Sequence, residues 1–350
     1  MDISFCRSTA GFIAISLSLF LLFCPTGQAQ KAESLYVDSL QSCSKVLVIS
    51  NREHSLQNGQ LHFTNQVKEG KELLYIEARF LNDSLVSRRC EREAFFEKLY
   101  QSKGDWLLFI HGDSKTYEQA VMRAFDIQYL YGINVMVFCW PSKDPDLGGV
   151  KNFKNSRQNL IISLDHFREL LCQISGFKNN NPDFYTDRHL SLFIHSLGNS
   201  FLENMIKQGL VPENTEKLFD NIIINAAAVN QDGHSSWVEK LNIQKRIYIT
   251  SNKQDFNLKG VRIFTSDGKQ LGEKVKHPLA GNAYYIQFTR AVGFRFPTGS
   301  THTYFIGKMA DKSMNIRRFY KQLFHGMPVD FNDSEVFRKN RKELGFDIRQ

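Results

Sequence analysis

Ser196 stands in the run Ile194-His195-Ser196-Leu197-Gly198, directly after an apolar stretch and before a helix-forming one. A tight strand–turn–helix makes such a serine hold its hydroxyl at the edge of a sheet, where the first N–H groups of the helix also converge. A serine so placed can attack a carbonyl carbon, with the Leu197 N–H binding the developing oxyanion. Gly198 supplies the small residue that close packing of the turn requires. Ile194 works against this reading, because a branched side chain there would crowd the turn. The competing account is a serine that merely caps a helix.

A nucleophilic serine needs three further groups. A second oxyanion donor usually comes from the loop after an earlier strand. The run Phe109-Ile-His-Gly-Asp113 ends such a strand, so the backbone of Gly112 or Asp113 is the candidate. A carboxylate and then a histidine should follow in chain order. Asp255 sits in the loop after the strand ending near Thr250, with Asp232, after the preceding strand, as the runner-up. His302, in the polar loop Gly299-Ser-Thr-His302, is the favoured base over His325, His277 and His234. His195 is expected to point away from the site and to be structural.

These residues need a scaffold that puts them at one rim. The apolar run Trp106–Ile110 predicts a strand buried on both faces and Asn134–Trp140 another buried strand, while His189–Ile194, Phe219–Asn225 and Arg246–Thr250 read as further strands. Shorter β-rich runs at Val46–Asn51 and Glu72–Phe80 add two more. Helical spacing predicts helices over Glu91–Tyr100, Thr116–Leu130, Ser156–Ile174 and Asn199–Lys207. Strands alternating with helices predict a mostly parallel sheet covered on both faces, with ligands held beyond the carboxyl ends of the strands.

The composition agrees with one large α/β domain. The chain has 350 residues, 42% hydrophobic, with 29 Phe and 12 Tyr, which is ample for a core and excludes disordered and collagen-like classes. The net charge of +8 is scattered, with mild clusters at Lys240–Arg246 and Arg338–Lys342. No nucleic-acid-reading motif accompanies it, so nucleic acid is not an expected partner; peripheral membrane contact is compatible with the charge. The cysteine spacings match no metal site.

Residues 1–29 read as a secretory signal peptide. The apolar run Phe12–Phe23 is about 12 residues, too short at ~1.5 Å per residue for a ~30 Å hydrocarbon core. Pro25 and the small–x–small triplet Gly27-Gln28-Ala29 follow it, which predicts cleavage after Ala29 and a secreted or periplasmic protein. A retained anchor and lipid attachment at Cys24 are the lesser readings. Cys43, Cys90, Cys139 and Cys172 remain after cleavage, and four cysteines allow three pairings. The expected organisation is a signal peptide (1–29), one domain over 30–325 that includes the strands and helix of 30–104, and a charged tail over 326–350.

The ordered blocks Val46–Arg52, Phe109–Gly112, Phe138-Cys-Trp-Pro-Ser142, His195–Asn199, Thr250–Leu258 and His302–Phe305 resemble the α/β-hydrolase superfamily, and within it a bacterial group of α/β-hydrolases. The resemblance spans roughly residues 45–310. It implies the α/β-hydrolase fold, Ser196 as nucleophile, Asp255 as acid and His302 as base. The Leu197 N–H, with Gly112 or Asp113, would form the oxyanion hole. It further implies an esterase-like acyl hydrolase that works through an acyl-enzyme on a small-molecule or lipid-like acyl substrate, with no metal or organic cofactor. The alternative is a catalytically inactive binding protein on the same fold.

Overall fold

A computed structural model describes residues 45–81, 84–265, 267–293, 298–340 and 345–350. The signal-peptide reading and Cys43 lie outside these residues. Lys45–Arg79 and Leu85–Gln350 form one compact unit, and everything positioned at the site lies within it.

The strands run in chain order as β1 (Lys45–Ser50), β2 (Arg52–Gln57), β3 (Gln60–Val67), β4 (Leu74–Leu81) and β5 (Ser84–Cys90). Then come β6 (Trp106–Ile110), β7 (Asn134–Cys139), β8 (Leu190–His195), β9 (Phe219–Asn225) and β10 (Gln244–Ser251). The last are β11 (Ala283–Gln287), β12 (Phe337–Asn340) and β13 (Gly345–Ile348). Eleven of them form one sheet in the order β12-β13-β11-β10-β9-β8-β6-β7-β1-β4-β5, while β2 and β3 form a separate hairpin. The stretch from β1 through β7, β6, β8, β9, β10 and β11 to β13 is parallel throughout. Within this sheet β1–β4 and β12–β13 pair antiparallel, as do β2 and β3 in their hairpin. Every residue of β6, β8 and β9 is buried, the burial expected of parallel strands covered on both faces. The fold is that of an α/β-hydrolase: a mostly parallel central sheet with connecting helices.

The helix Tyr117–Tyr131 illustrates how local chemistry sets the element. Thr116 and Gln119 form a reciprocal capping box at its start, and Gly132, at φ +65°, closes its end. Its buried stripe includes Ala120, Val121, Ala124 and Ile127, as the spacing predicts. Two expectations differ from the structure. The long helix expected over Ser156–Ile174 is instead two helices, Gly149–Ile162 and Leu164–Asn180, meeting at Ser163. Ser163 Oγ accepts a hydrogen bond from Asn51 Nδ2 at 2.7 Å, which pins the junction to the end of β1. Residues 326–350, expected as a charged tail, instead carry β12 and β13. The rings of Phe331 and Phe346 stack at 4.1 Å, and Phe337 packs edge-on to both, which gives this polar segment a small apolar anchor.

Among the described residues Cys90, Cys139 and Cys172 are unpaired thiols, and no helix is long and apolar enough to cross a membrane.

Candidate active site

The strand β8 ends at His195, and Ser196–Asn199 form a 3-10 turn that leads into the helix Ser200–Lys207. Ser196 has φ +55°, a left-handed conformation that a non-glycine residue adopts at a cost of order 1–3 kcal/mol. Neighbouring groups hold it there. Asn199 Nδ2 donates to the carbonyls of Ser196 (3.0 Å), Ile194 (3.2 Å) and Asn225 (3.3 Å). The Ala228 N–H donates to the Ser196 carbonyl at 3.1 Å. Gly272 packs directly on the backbone of this segment: a Cβ there would come within 2.2 Å of the Ala226 carbonyl carbon, so only glycine fits at 272.

Ile194 does not crowd the turn, because Gly198 makes room for it. A Cβ on Gly198 would lie 3.3 Å from Ile194 Cγ2 and 2.7 Å from the His111 carbonyl oxygen. The side chain that looked obstructive is fully buried in the core.

The loop after β6 closes on the serine from the other side. A Cβ on Gly112 would lie 2.6 Å from Ser196 Cβ, so only glycine permits this approach. His111 fixes the loop. Its Nδ1–H donates to the Gly112 carbonyl (2.9 Å), and its Nε2 accepts from the Trp140 N–H (3.2 Å). Burial, reinforced by Arg52, holds the His111 imidazole well below its ordinary pKa, so the ring is neutral and this tautomer persists. Arg52, itself buried, donates to the Lys115 and Trp140 carbonyls (2.7 Å each) and to Thr64 O and Asn65 Oδ1 (3.2 Å each).

Asp255 is fully buried at the start of the helix Phe256–Thr265. Its Oδ1 accepts the Leu258 N–H at 3.0 Å, and its Oδ2 lies 2.6 Å from His302 Nδ1. The loop carrying His302 is tied to the loop carrying Asp255, because Asn252 Nδ2 donates to the Thr301 carbonyl at 2.7 Å. Ser196, His302, Gly112 and Asp113 all line one pocket of about 460 Å³. Ser196 Oγ and His302 share this pocket without a hydrogen bond between them.

The runner-up residues lie elsewhere. Asp232 is half-exposed and pairs with Lys276 at 2.7 Å. His325 pairs with Asp105 at 2.8 Å, and His234 is held between the Gln231 carbonyl and the Tyr285 hydroxyl. His277 lines a separate depression with Lys274 and Lys276. Among the described residues no cluster of His, Cys, Asp and Glu could hold a metal ion.

Three residues of the pocket carry no sequence signal of their own. His195, expected to point away, lines the pocket and packs against His302 with ring centroids 4.6 Å apart. Asn225 Nδ2 donates to its Nδ1 at 3.0 Å, and Asn225 is oriented by Thr250 and Tyr320, whose hydroxyls donate to its Oδ1. Burial first, then the nearby His302, depress the His195 pKa, so the ring is neutral and carries its proton on Nε2. The other two, Lys115 and Arg123, bring positive charge into the same pocket.

No curated protein matches the chain. Among solved structures, an esterase of Pyrobaculum calidifontis aligns with 85% of this chain and 91% of its own, at 9% identity and a TM-score of 0.36. A dienelactone hydrolase from Anabaena variabilis aligns with 78% of this chain and 97% of its own, at 11% identity and a TM-score of 0.34. An acylaminoacyl peptidase of Pyrococcus horikoshii aligns with 78% of this chain and 56% of its own, at 12% identity and a TM-score of 0.32. A family model matches residues 87–281, more than half of the chain, a span that contains Gly112, Ser196 and Asp255 and ends before His302. The chain therefore belongs to the family described as "Alpha/beta hydrolase of unknown function (DUF900)".

Proposed function

We propose that this hydrolase cleaves ester-type bonds through a covalent acyl-enzyme, with Ser196 as nucleophile, His302 as general base and Asp255 as its buried partner. The observation that carries the reading is the 2.6 Å contact from Asp255 Oδ2 to His302 Nδ1, in a pocket shared with a serine held at φ +55°. Asp255 fixes the His302 tautomer with Nε2 free to take the Ser196 proton. As Ser196 Oγ bonds to the acyl carbon, the carbonyl oxygen gains charge, and the N–H of Leu197 with that of Gly112 or Asp113 receives it. Collapse breaks the ester C–O bond, and His302 gives its proton to the departing alcohol. Water then adds to the acyl-enzyme, passes a proton to His302 and releases the acid, restoring the Ser196 hydroxyl.

The substrate in this reading is a small or lipid-like acyl ester; Phe153, Leu258, Val261 and Phe264 give the pocket an apolar wall. The sequence of residues 1–29 adds export to the periplasm or beyond, and the amino terminus of protein recovered from the producing cells would then be Gln30.

A fluorophosphonate probe tests the chemistry. Wild type should be labelled at Ser196, and Ser196→Ala should not. Equal inertness of both proteins would leave the fold as a binding module without catalysis.

A further inference from the structure

The pocket that holds Ser196 and His302 is also lined by Lys115 and Arg123. Lys115 follows the loop that abuts the serine, and Arg123 lies on the helix Tyr117–Tyr131, so two separate elements bring a cation to one cavity. Among the described residues neither side chain has an ion-pair or hydrogen-bond partner, whereas surface cations such as Lys207 and Lys276 do. Among the described residues the carboxylate lining the pocket is Asp113; its oxygens accept from Asn152 Nδ2 (2.9 Å) and Ser114 Oγ (3.0 Å), and its charge attracts Lys115 without an ion pair. Asp126, on the same helix, attracts Arg123.

Two unpaired cations beside an apolar wall are electrostatically unfavourable. Burial first, and then the charge of Arg123, push the Lys115 ammonium down to about 7. Burial likewise lowers Arg123. An anionic ligand would reverse both effects, because a carboxylate or phosphate accepts charge-assisted hydrogen bonds from guanidinium and ammonium together.

We propose that Lys115 and Arg123 form an anion subsite of this pocket, and that the natural substrate is an ester bearing a carboxylate or phosphate group. Its use in turnover rests on the serine-hydrolase reading, but binding of the anion does not. A pocket of about 460 Å³ has room for a short acyl or alcohol group together with its anionic substituent.

The experiment is calorimetric titration of the Ser196→Ala protein, at low ionic strength, with sodium succinate and separately with inorganic phosphate. At least one anion should bind, and Arg123→Gln or Lys115→Met in the same background should weaken it about tenfold or more. The tighter of the two anions identifies the group as carboxylate or phosphate. Arg123→Lys, which keeps the charge, should retain most of the binding, so that loss of affinity is separated from loss of fold. In the Ser196-containing enzyme, kcat/KM for 4-nitrophenyl hemisuccinate relative to neutral 4-nitrophenyl butyrate should fall about tenfold on Arg123→Gln, provided the anion sits on the acyl side. A butyrate ester of 4-hydroxybenzoate probes the alcohol side in the same way.

Absence of binding by both anions, or binding unchanged by both charge removals, overturns the proposal whatever the esterase assays give. Anion binding lost on charge removal, in an enzyme that turns over none of these esters, upholds the subsite and removes the hydrolytic mechanism instead.

Discussion

Replacing Asp255 with Asn separates the two bonds this side chain makes. Its Oδ1 accepts the Leu258 N–H at 3.0 Å, and an asparagine oxygen can keep that bond, since Asn and Asp are comparable at helix starts. Its Oδ2 faces His302 Nδ1 at 2.6 Å, where an amide offers no charge and favours the wrong imidazole tautomer. Two unit charges about 4 Å apart at an effective dielectric near 20 attract by about 4 kcal/mol. Loss of the correct tautomer adds to this, so a total near 5 kcal/mol, about a 10⁴-fold drop in kcat, is expected. The assay is steady-state hydrolysis of 4-nitrophenyl butyrate alongside thermal melting. Stability should change little while turnover collapses. A loss of only tenfold with the fold intact, or an equal loss on Asp232→Asn, would refute the assignment of the acid.

Gly112→Ala should lower kcat/KM by about 10²-fold, since relieving a 2.6 Å contact with Ser196 Cβ displaces the loop after β6 or the serine on the ångström scale; near-normal turnover would mean the loop does not serve the site. The Asp105–His325 pair makes stability depend on pH. The carboxylate of Asp105 is the largest cause raising the His325 pKa, so the pair's contribution is complete below the free imidazole value near 6.5 and is lost as pH rises through the raised folded value. Asp105→Asn should therefore cost about 1–2 kcal/mol in urea denaturation at pH 6 and distinctly less at pH 9; equal costs at the two values would contradict the pairing.

The central strands were legible in the sequence because parallel strands buried on both faces leave unbroken apolar runs, as Trp106–Ile110 does. The outer elements leave no such mark. In β3 Leu61, Phe63 and Val67 alternate with exposed residues but none is fully buried, so its pattern is weak, and β12 reads Phe-Arg-Lys-Asn, which carries none. The break at Ser163 is hidden for the opposite reason, since Leu160, Leu164, Phe167 and Leu171 keep helical spacing across it. At the site, Ser196, Asp255 and His302 could be singled out because each follows a strand or sits in a distinctive polar loop. The approach of Arg123 depends on how its helix crosses the sheet, and the inward turn of His195 depends on Asn225, 30 residues away. Neither relation is local, and no spacing rule encodes it.

The buried guanidinium of Arg52 spans three chain segments, which Asn159 and Ser142 tie together from other sides. It reaches residues 64 and 65 within β3, residue 115 beside the pocket and residue 140 at the exit of β7. Releasing any one of these would strand a buried donor, so fraying of the amino-terminal hairpin and loosening of the loop that presents Lys115 become a single event. Solvent reaching that hairpin, or a partner gripping it, would thus be felt at the mouth of the cavity with no rearrangement of the sheet between them.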